Sequence, residues 1–240
     1  MWPTQRNIAS MRVLCQLAED QGISLAECLR HTHISIAQLN DAFAQVTAQQ
    51  ELQLIENILA AYKAPDHHLG LEAGCYYHLN TFGIWGFALV NSRTLRDAIN
   101  LGLRYLDLTF AFNQVHLQEN EDDIILMLDD KAIPASCRHF LLDRDMSSIM
   151  TMVEELFNYR PPLKHVCFRY SAPKDISIYQ QIFGVTPEFN APYHGVSFAK
   201  AFLELPIPQS NPHTAAMCEA QCKELLCRQH QRSGIAAKVR

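Results

Sequence analysis

Apolar residues recur at helical spacing from the start of the chain. Ile8, Met11, Cys15 and Ala18 form a stripe that stops at Gly22, a residue suited to the left-handed turn that ends a helix. Ser24-x-x-Glu27 has capping-box spacing ahead of a short helix presenting Leu25, Cys28 and Leu29. Leu52, Ile55, Ile58, Leu59 and Tyr62 make a further stripe that halts at Pro65. Residues 1–65 therefore read as a helical subregion. The segment from Gly22 to Leu39 has the outline of a helix-turn-helix. Its second helix would carry only Ile36, Ala37, Gln38 and Leu39, with no Arg or Lys for phosphates, so it is rejected as a DNA reader.

The pattern changes after residue 66. Leu95, Ala98, Ile99, Gly102 and Leu106 mark the apolar face of a helix capped by Ser92 or Thr94, with Thr94-x-x-Asp97 at capping-box spacing. Val115 to Glu119 and Ile124 to Asp129 read as two strands joined by an acidic turn, a hairpin. Helical spacing returns from Ser136 to Tyr159, with Phe140, Ile149, Met152, Val153 and Leu156 buried and Pro161-Pro162 as the stop. In the next strand Val166, Phe168 and Tyr170 face one way, Cys167 and Arg169 the other. Asp175 caps a short helix carrying Ile178, Tyr179, Ile182 and Phe183 and ending at Gly184, and strand character resumes at Glu188 to Phe189 and Val196 to Phe198. Pro206 to Pro212 break the chain before a last helix from about Thr214 to Arg232. This order predicts an α+β fold: an N-terminal helical segment, an antiparallel β-sheet with packed helices, and a C-terminal helix. The expected divisions are 1–65, an α+β core over 66–208, and a C-terminal helix with the start of a linker over 209–240.

One stretch breaks the amphipathic rhythm. Ala73 to Ser92 holds no Asp, Glu, Lys or Arg, yet His78, Asn80, Thr81 and Asn91 and three glycines exclude a membrane span. Within it, Gly83 and Gly86 stand among Phe82, Trp85 and Phe87. Each glycine costs about 1 kcal/mol in a helix relative to Ala, so their presence between large rings points to a turn or to a close backbone approach. Phe82, Trp85 and Phe87 are then candidates for a pocket wall, the alternative for each ring being ordinary core packing.

Composition narrows the function. The 240 residues are 48% hydrophobic and 19% charged, enough for one sizeable core, and the net charge of -5 supplies no cationic field for nucleic acid. The first ten residues contain no signal-peptide core, which with eight scattered cysteines fits reduced thiols in the cytoplasm. Cys218 and Cys222 share a helix face, but Cys227 falls about 140° further round, so these thiols and the nearby His213 and His230 do not assemble one tetrahedral metal site. His67 and His68 are adjacent and point to different faces. No nucleophile elbow, phosphate loop or dinucleotide fingerprint is present, so neither an enzyme nor a cofactor is expected.

Two longer phrases carry a resemblance. LGLEAGCYYHLNTFGIWGFALVNSRTLRDAINLGLRYLDL and VCFRYSAPKDISIYQQIFGVTPEFNAPYHGVSFAKAFLELPIP, spanning Leu69 to Pro208, resemble the amino-terminal effector-binding domain of AraC-type transcriptional regulators, the arabinose-binding type. Relatives usually place Pro after the Ser that caps the central helix; here Arg93 stands there, which weakens the cap. Such regulators continue into a DNA-binding domain of two helix-turn-helix units. The present chain, which stops at Arg240, looks like the sensor half alone. The resemblance implies a small-molecule effector, a homodimer, DNA contact only through a domain absent from this chain, and no membrane.

The polar groups for such a pocket must come from elsewhere in the chain. Tyr105, Phe110, Phe112 and Asn113 lead from the central helix into the hairpin, and Arg138 and His139 open the next long helix. Arg169 is either a clamp for a ligand carboxylate or a structural ion pair, and Tyr193 with His194 sits in a turn that could close a pocket mouth. The effector is expected to be small and partly apolar, bound between the Phe82 to Leu108 segment, the Ser136 to Tyr159 helix and the sheet. The rivals are a ligand-independent oligomerisation module and a thiol- or metal-responsive sensor.

Overall fold

The structure is a computed structural model that describes residues 2–3, 5–63 and 68–238. Two short strands, β1 (Arg6–Asn7) and β2 (Gln45–Val46), pair antiparallel and bracket helices α1 (Ala9–Asp20), α2 (Leu25–Leu29) and α3 (Ile36–Leu39). Capping boxes start α2 at Ser24 and α3 at Ser35, and a third, Thr47 with Gln50, starts α4 (Ala48–Ala61). Gly22 takes φ +76° after α1, the left-handed turn its position predicts. The stop predicted at Pro65 and the residue His67 lie outside the described residues.

Next come α5 (Leu69–Gly74), a 3-10 turn at Leu79–Phe82, α6 (Ile84–Val90) and α7 (Leu95–Arg104). Thr94, not Ser92, caps α7: its hydroxyl accepts from the Asp97 N–H, while Ser92 Oγ donates back to the Ala88 carbonyl. The hairpin forms as expected from β3 (Gln114–Glu119) and β4 (Asp123–Asp129), followed by α8 (Ala135–Phe157). Asn158, in the left-handed conformation at φ 59°, ends α8 before the Pro161-Pro162 pair is reached.

β5 (His165–Cys167), α9 (Ser177–Phe183) and β6 (His194–Ala199) complete an antiparallel sheet of order β3-β4-β6-β5. The predicted strand at Glu188 to Phe189 is only a bridge from Glu188 to Cys167, parallel to β5. The last helix, α10 (Pro212–Lys238), runs past the expected end at Arg232, because Gly234 is a weak breaker and no proline follows it.

Alternation along β4 sends Ile124, Leu126 and Leu128 inward, where they meet Val196, Phe198 and Val166 of the neighbouring strands. This face packs on α8 and on α6 and α7 in one apolar core. The N-terminal helices share a second core with Tyr77, Phe110, Phe112 and Phe140. α8 belongs to both, so its two sides look into different parts of the molecule. No helix among the described residues is long and apolar enough to cross a membrane.

Candidate functional site

The charge-free belt folds around its glycines. Gly83 has φ +56°, which separates the 3-10 turn from α6 and is unfavourable for a residue with a side chain. A Cβ on Gly86 would lie 1.8 Å from the Leu79 carbonyl oxygen, so α6 stacks on the preceding turn only because Gly86 has none. The ring centroids of Phe82 and Trp85 consequently lie 5.1 Å apart, and Phe110 lies 5.4 Å from Phe82. Trp85 is fixed by a 3.2 Å hydrogen bond from its indole N–H to the Gly102 carbonyl.

These rings, with Tyr77 and Leu106, form one wall of a cavity of about 60 Å³. Arg144, Asp145, Ser148, Ile149 and Met152 of α8 form the other. Phe82, Trp85, Thr109 and Phe110 also line an adjoining cleft of about 690 Å³, bordered by residues 5–7 and by Leu225 and Arg228 of α10. The small chamber and this roomier vestibule thus share the same four side chains as walls, and the last helix borders the vestibule.

Beneath the chamber lies a buried charge network. Arg144, 1% exposed, donates through Nε and Nη2 to Asp145 Oδ1 at 2.9 and 2.7 Å, and through Nη2 to the Phe110 carbonyl at 2.8 Å. Its Nη1 faces the fully buried Glu51 at 3.6 Å and has no hydrogen-bond partner. Arg6 approaches the same carboxylate at 3.5 Å, and Ser10 donates to it at 2.5 Å. Burial opposes charge on both arginines. It prevails at Arg6, whose pKa is lowered, whereas at Arg144 the carboxylates of Asp145 and Glu51 outweigh it and the pKa is raised. Burial also pushes the Tyr77 phenol up to about 12. The two arginines and two carboxylates balance, so the network beneath the chamber is electrically closed.

Residues 22–207 match the family model described as the arabinose-binding domain of AraC transcription regulators, N-terminal. The chain belongs to this family. It is 32% identical, over 97% of its own length and 69% of theirs, to uncharacterized HTH-type transcriptional regulators of Mycobacterium bovis and Mycobacterium tuberculosis. The ornithine utilization regulator of Pseudomonas aeruginosa is 29% identical over 72% of this chain and 51% of its own. The fold is shared with the crystal structure of the transcriptional regulator CdpR from Pseudomonas aeruginosa, at a TM-score of 0.64 and 17% identity, over 86% of this chain and 60% of that one.

In this AraC-type domain the residues singled out from sequence divide between two places. Phe82, Trp85 and Phe110 meet at the chamber. Phe87, one turn along α6, is 55% exposed and points away from it. Tyr105 is buried and directs its hydroxyl to Glu219 of α10 at 3.4 Å. Phe112 is buried under the Arg6 guanidinium, 4.1 Å from the ring centre. Asn113 donates to Asp145 at 2.7 Å and so serves the charge network. Arg138, His139 and Arg169 lie on the other side of α8, around a separate open cleft, and Arg169 pairs with Asp130. Tyr193 is half-buried beside Cys167.

The sequence reading missed Tyr77, Arg144, Asp145, Ser148 and Met152. The available signal was the Asp143-Arg144-Asp145 run directly after the apolar Phe140-Leu141-Leu142 and before Met146, since buried charges need partners. Among the described residues, no group of three or more His, Cys, Asp or Glu could hold a metal.

Proposed function

We propose that this domain senses a small, partly apolar metabolite in the aromatic chamber and its vestibule, and thereby controls DNA binding by a helix-turn-helix domain joined after α10. On this reading residues 66–208 are the effector-binding core, 1–65 a supporting helical subregion and 209–240 the start of the connection. One observation carries it: the chamber wall of Phe82, Trp85 and Phe110 continues into a vestibule bordered by Leu225 and Arg228 of α10, the element leading towards such a reader. Tyr105 adds a second link from the same region to α10 through Glu219.

A ligand that enters between the rings and α10 binds best to one placement of that helix. Equal affinity for two placements would shift nothing, so this differential contact is what a switch requires. On the same reading the regulator acts as a homodimer, as the family resemblance implies. The name of one relative, ornithine utilization regulator, is a reason to include amino acids in the ligand panel.

The test is thermal unfolding of the chain against amino acids, aromatic acids and short apolar acids. A selective binder raises the melting temperature, and Trp85→Ala should abolish that rise while the domain stays folded. Ligand responses that persist unchanged in Trp85→Ala and Phe110→Ala would remove the chamber from the account.

A further inference from the structure

Across α8 from the aromatic chamber lies a second cleft, of about 740 Å³, within the range of small-molecule sites. Its floor is built where β4 ends and β6 begins. Asp130 and His194, 6% and 3% exposed, both line it. The Arg169 backbone N–H donates to His194 Nδ1 at 3.1 Å, so the neutral imidazole carries its proton on Nε2. Burial lowers the His194 pKa, with the nearby Arg169 charge acting in the same direction, which keeps the ring in that neutral form.

Three donor groups converge on the Asp130 carboxylate without closing on it. His194 Nε2 stands at 3.5 Å, Arg169 Nη1 at 3.6 Å and Arg138 Nε at 3.8 Å, all too long for good hydrogen bonds. Among the described residues no hydrogen bond reaches this carboxylate, and none leaves the Arg169 guanidinium. Asp130 thus gathers two arginines at the cleft while neutralising only one of them. Protonated His139, the form its raised pKa favours, balances Asp143 at 3.3 Å, and Lys131 is engaged by Asp129. One positive charge is left over, half-exposed, at the mouth.

The remaining walls are flat and apolar. Leu142, Ala191 and Pro192 contribute, with the Tyr170 ring, which is held by its hydroxyl on Asp143 and packs 4.2 Å from His139. We propose that this cleft is a second binding site, for a small carboxylate with a planar ring, whose oxyanion docks between Arg138 and Arg169 while its ring lies on Tyr170 and Pro192. Guanidinium groups suit this task because their planar forks match a carboxylate. The site is independent of the aromatic chamber and does not rest on that reading.

Isothermal titration with benzoate tests the proposal, with benzyl alcohol as the uncharged counterpart. Benzoate should bind and benzyl alcohol should not. Arg138→Gln and Arg169→Gln, both at half-exposed positions, should each weaken benzoate about tenfold or more, the effect of losing one charge-assisted hydrogen bond. Arg160→Gln, at an exposed arginine outside the cleft that pairs with Glu154, should leave benzoate affinity unchanged. In the unaltered chain, benzoate should also shift the His139 and His194 ring resonances, a readout that needs no variant. The proposal is overturned if millimolar benzoate gives neither heat nor ring shifts, or if benzyl alcohol binds equally well. It is also overturned if both cleft arginine variants bind normally, or if Arg160→Gln weakens binding as much as they do.

Discussion

Replacing Arg144 with Met would expose how much of the chamber rests on its buried charges. The guanidinium is 1% exposed and makes three hydrogen bonds, two to Asp145 and one to the Phe110 carbonyl. Met approximates the aliphatic length, so lost packing is a minor part of the change. Asp145 and Glu51 lose a counter-charge, and a carbonyl beneath an aromatic wall loses its donor. Breaking a buried pair from one side costs about 3–5 kcal/mol, and a domain of this size shifts by roughly 2–4 °C per kcal/mol. Arg144→Met should therefore lower the calorimetric melting temperature by about 8–16 °C, taking ~4 kcal/mol as the central value. Glu51→Gln in the same chain restores the balance, leaving Arg6 and Asp145 as the only charges of the network. The double variant should accordingly melt above the sum of the single effects, by a coupling of about 1–3 kcal/mol. A single-variant shift below about 2 °C, or strict additivity, would refute the view that these four residues form one closed network.

Two further outcomes follow from local geometry. Gly86→Ala places a Cβ 1.8 Å from the Leu79 carbonyl oxygen, a backbone clash that no rotamer relieves. That chain should unfold or melt many degrees lower, as circular dichroism would report. At His139, burial lowers the pKa, but the Asp143 carboxylate more than offsets this, and the net direction is upward from 6.5. A raised folded-state value means that protonated His139 stabilises the native state. That contribution is complete below about pH 6.5 and fades as pH rises through the higher folded value. The melting-temperature difference between the unaltered chain and His139→Gln should shrink accordingly from pH 5 to alkaline pH; a difference that grows with pH would contradict the assignment.

Much of the fold is visible in the sequence because its signals are local. The Ser24-x-x-Glu27 box, Gly22, the hairpin alternation and the Gly184 stop each act within a few residues, and each forms where its spacing predicts. The role of Gly83 and Gly86 was also legible, as one turn and one close approach. What the sequence did not reveal depends on which side of α8 a residue faces. Arg138 and His139 share that helix with Arg144 and Asp145, yet the two pairs look into different clefts, and periodicity alone does not say which cleft holds which ligand group. Phe87 shows the same limit on α6, where a ring two positions from a buried Trp85 is turned outward. Arg6 and Glu51 join the network through a tertiary pairing 45 residues apart in the chain, beyond the reach of any local pattern.

The central claim is that the aromatic chamber is open to an apolar guest. Crystals of the domain pressurised with xenon test it without knowledge of the effector, since apolar cavities take up the gas. A xenon peak between Phe82, Trp85 and Phe110, absent in a variant that fills the space with Ser148→Leu, is the predicted result. Uninterrupted side-chain density there, with no bound xenon, would contradict the account.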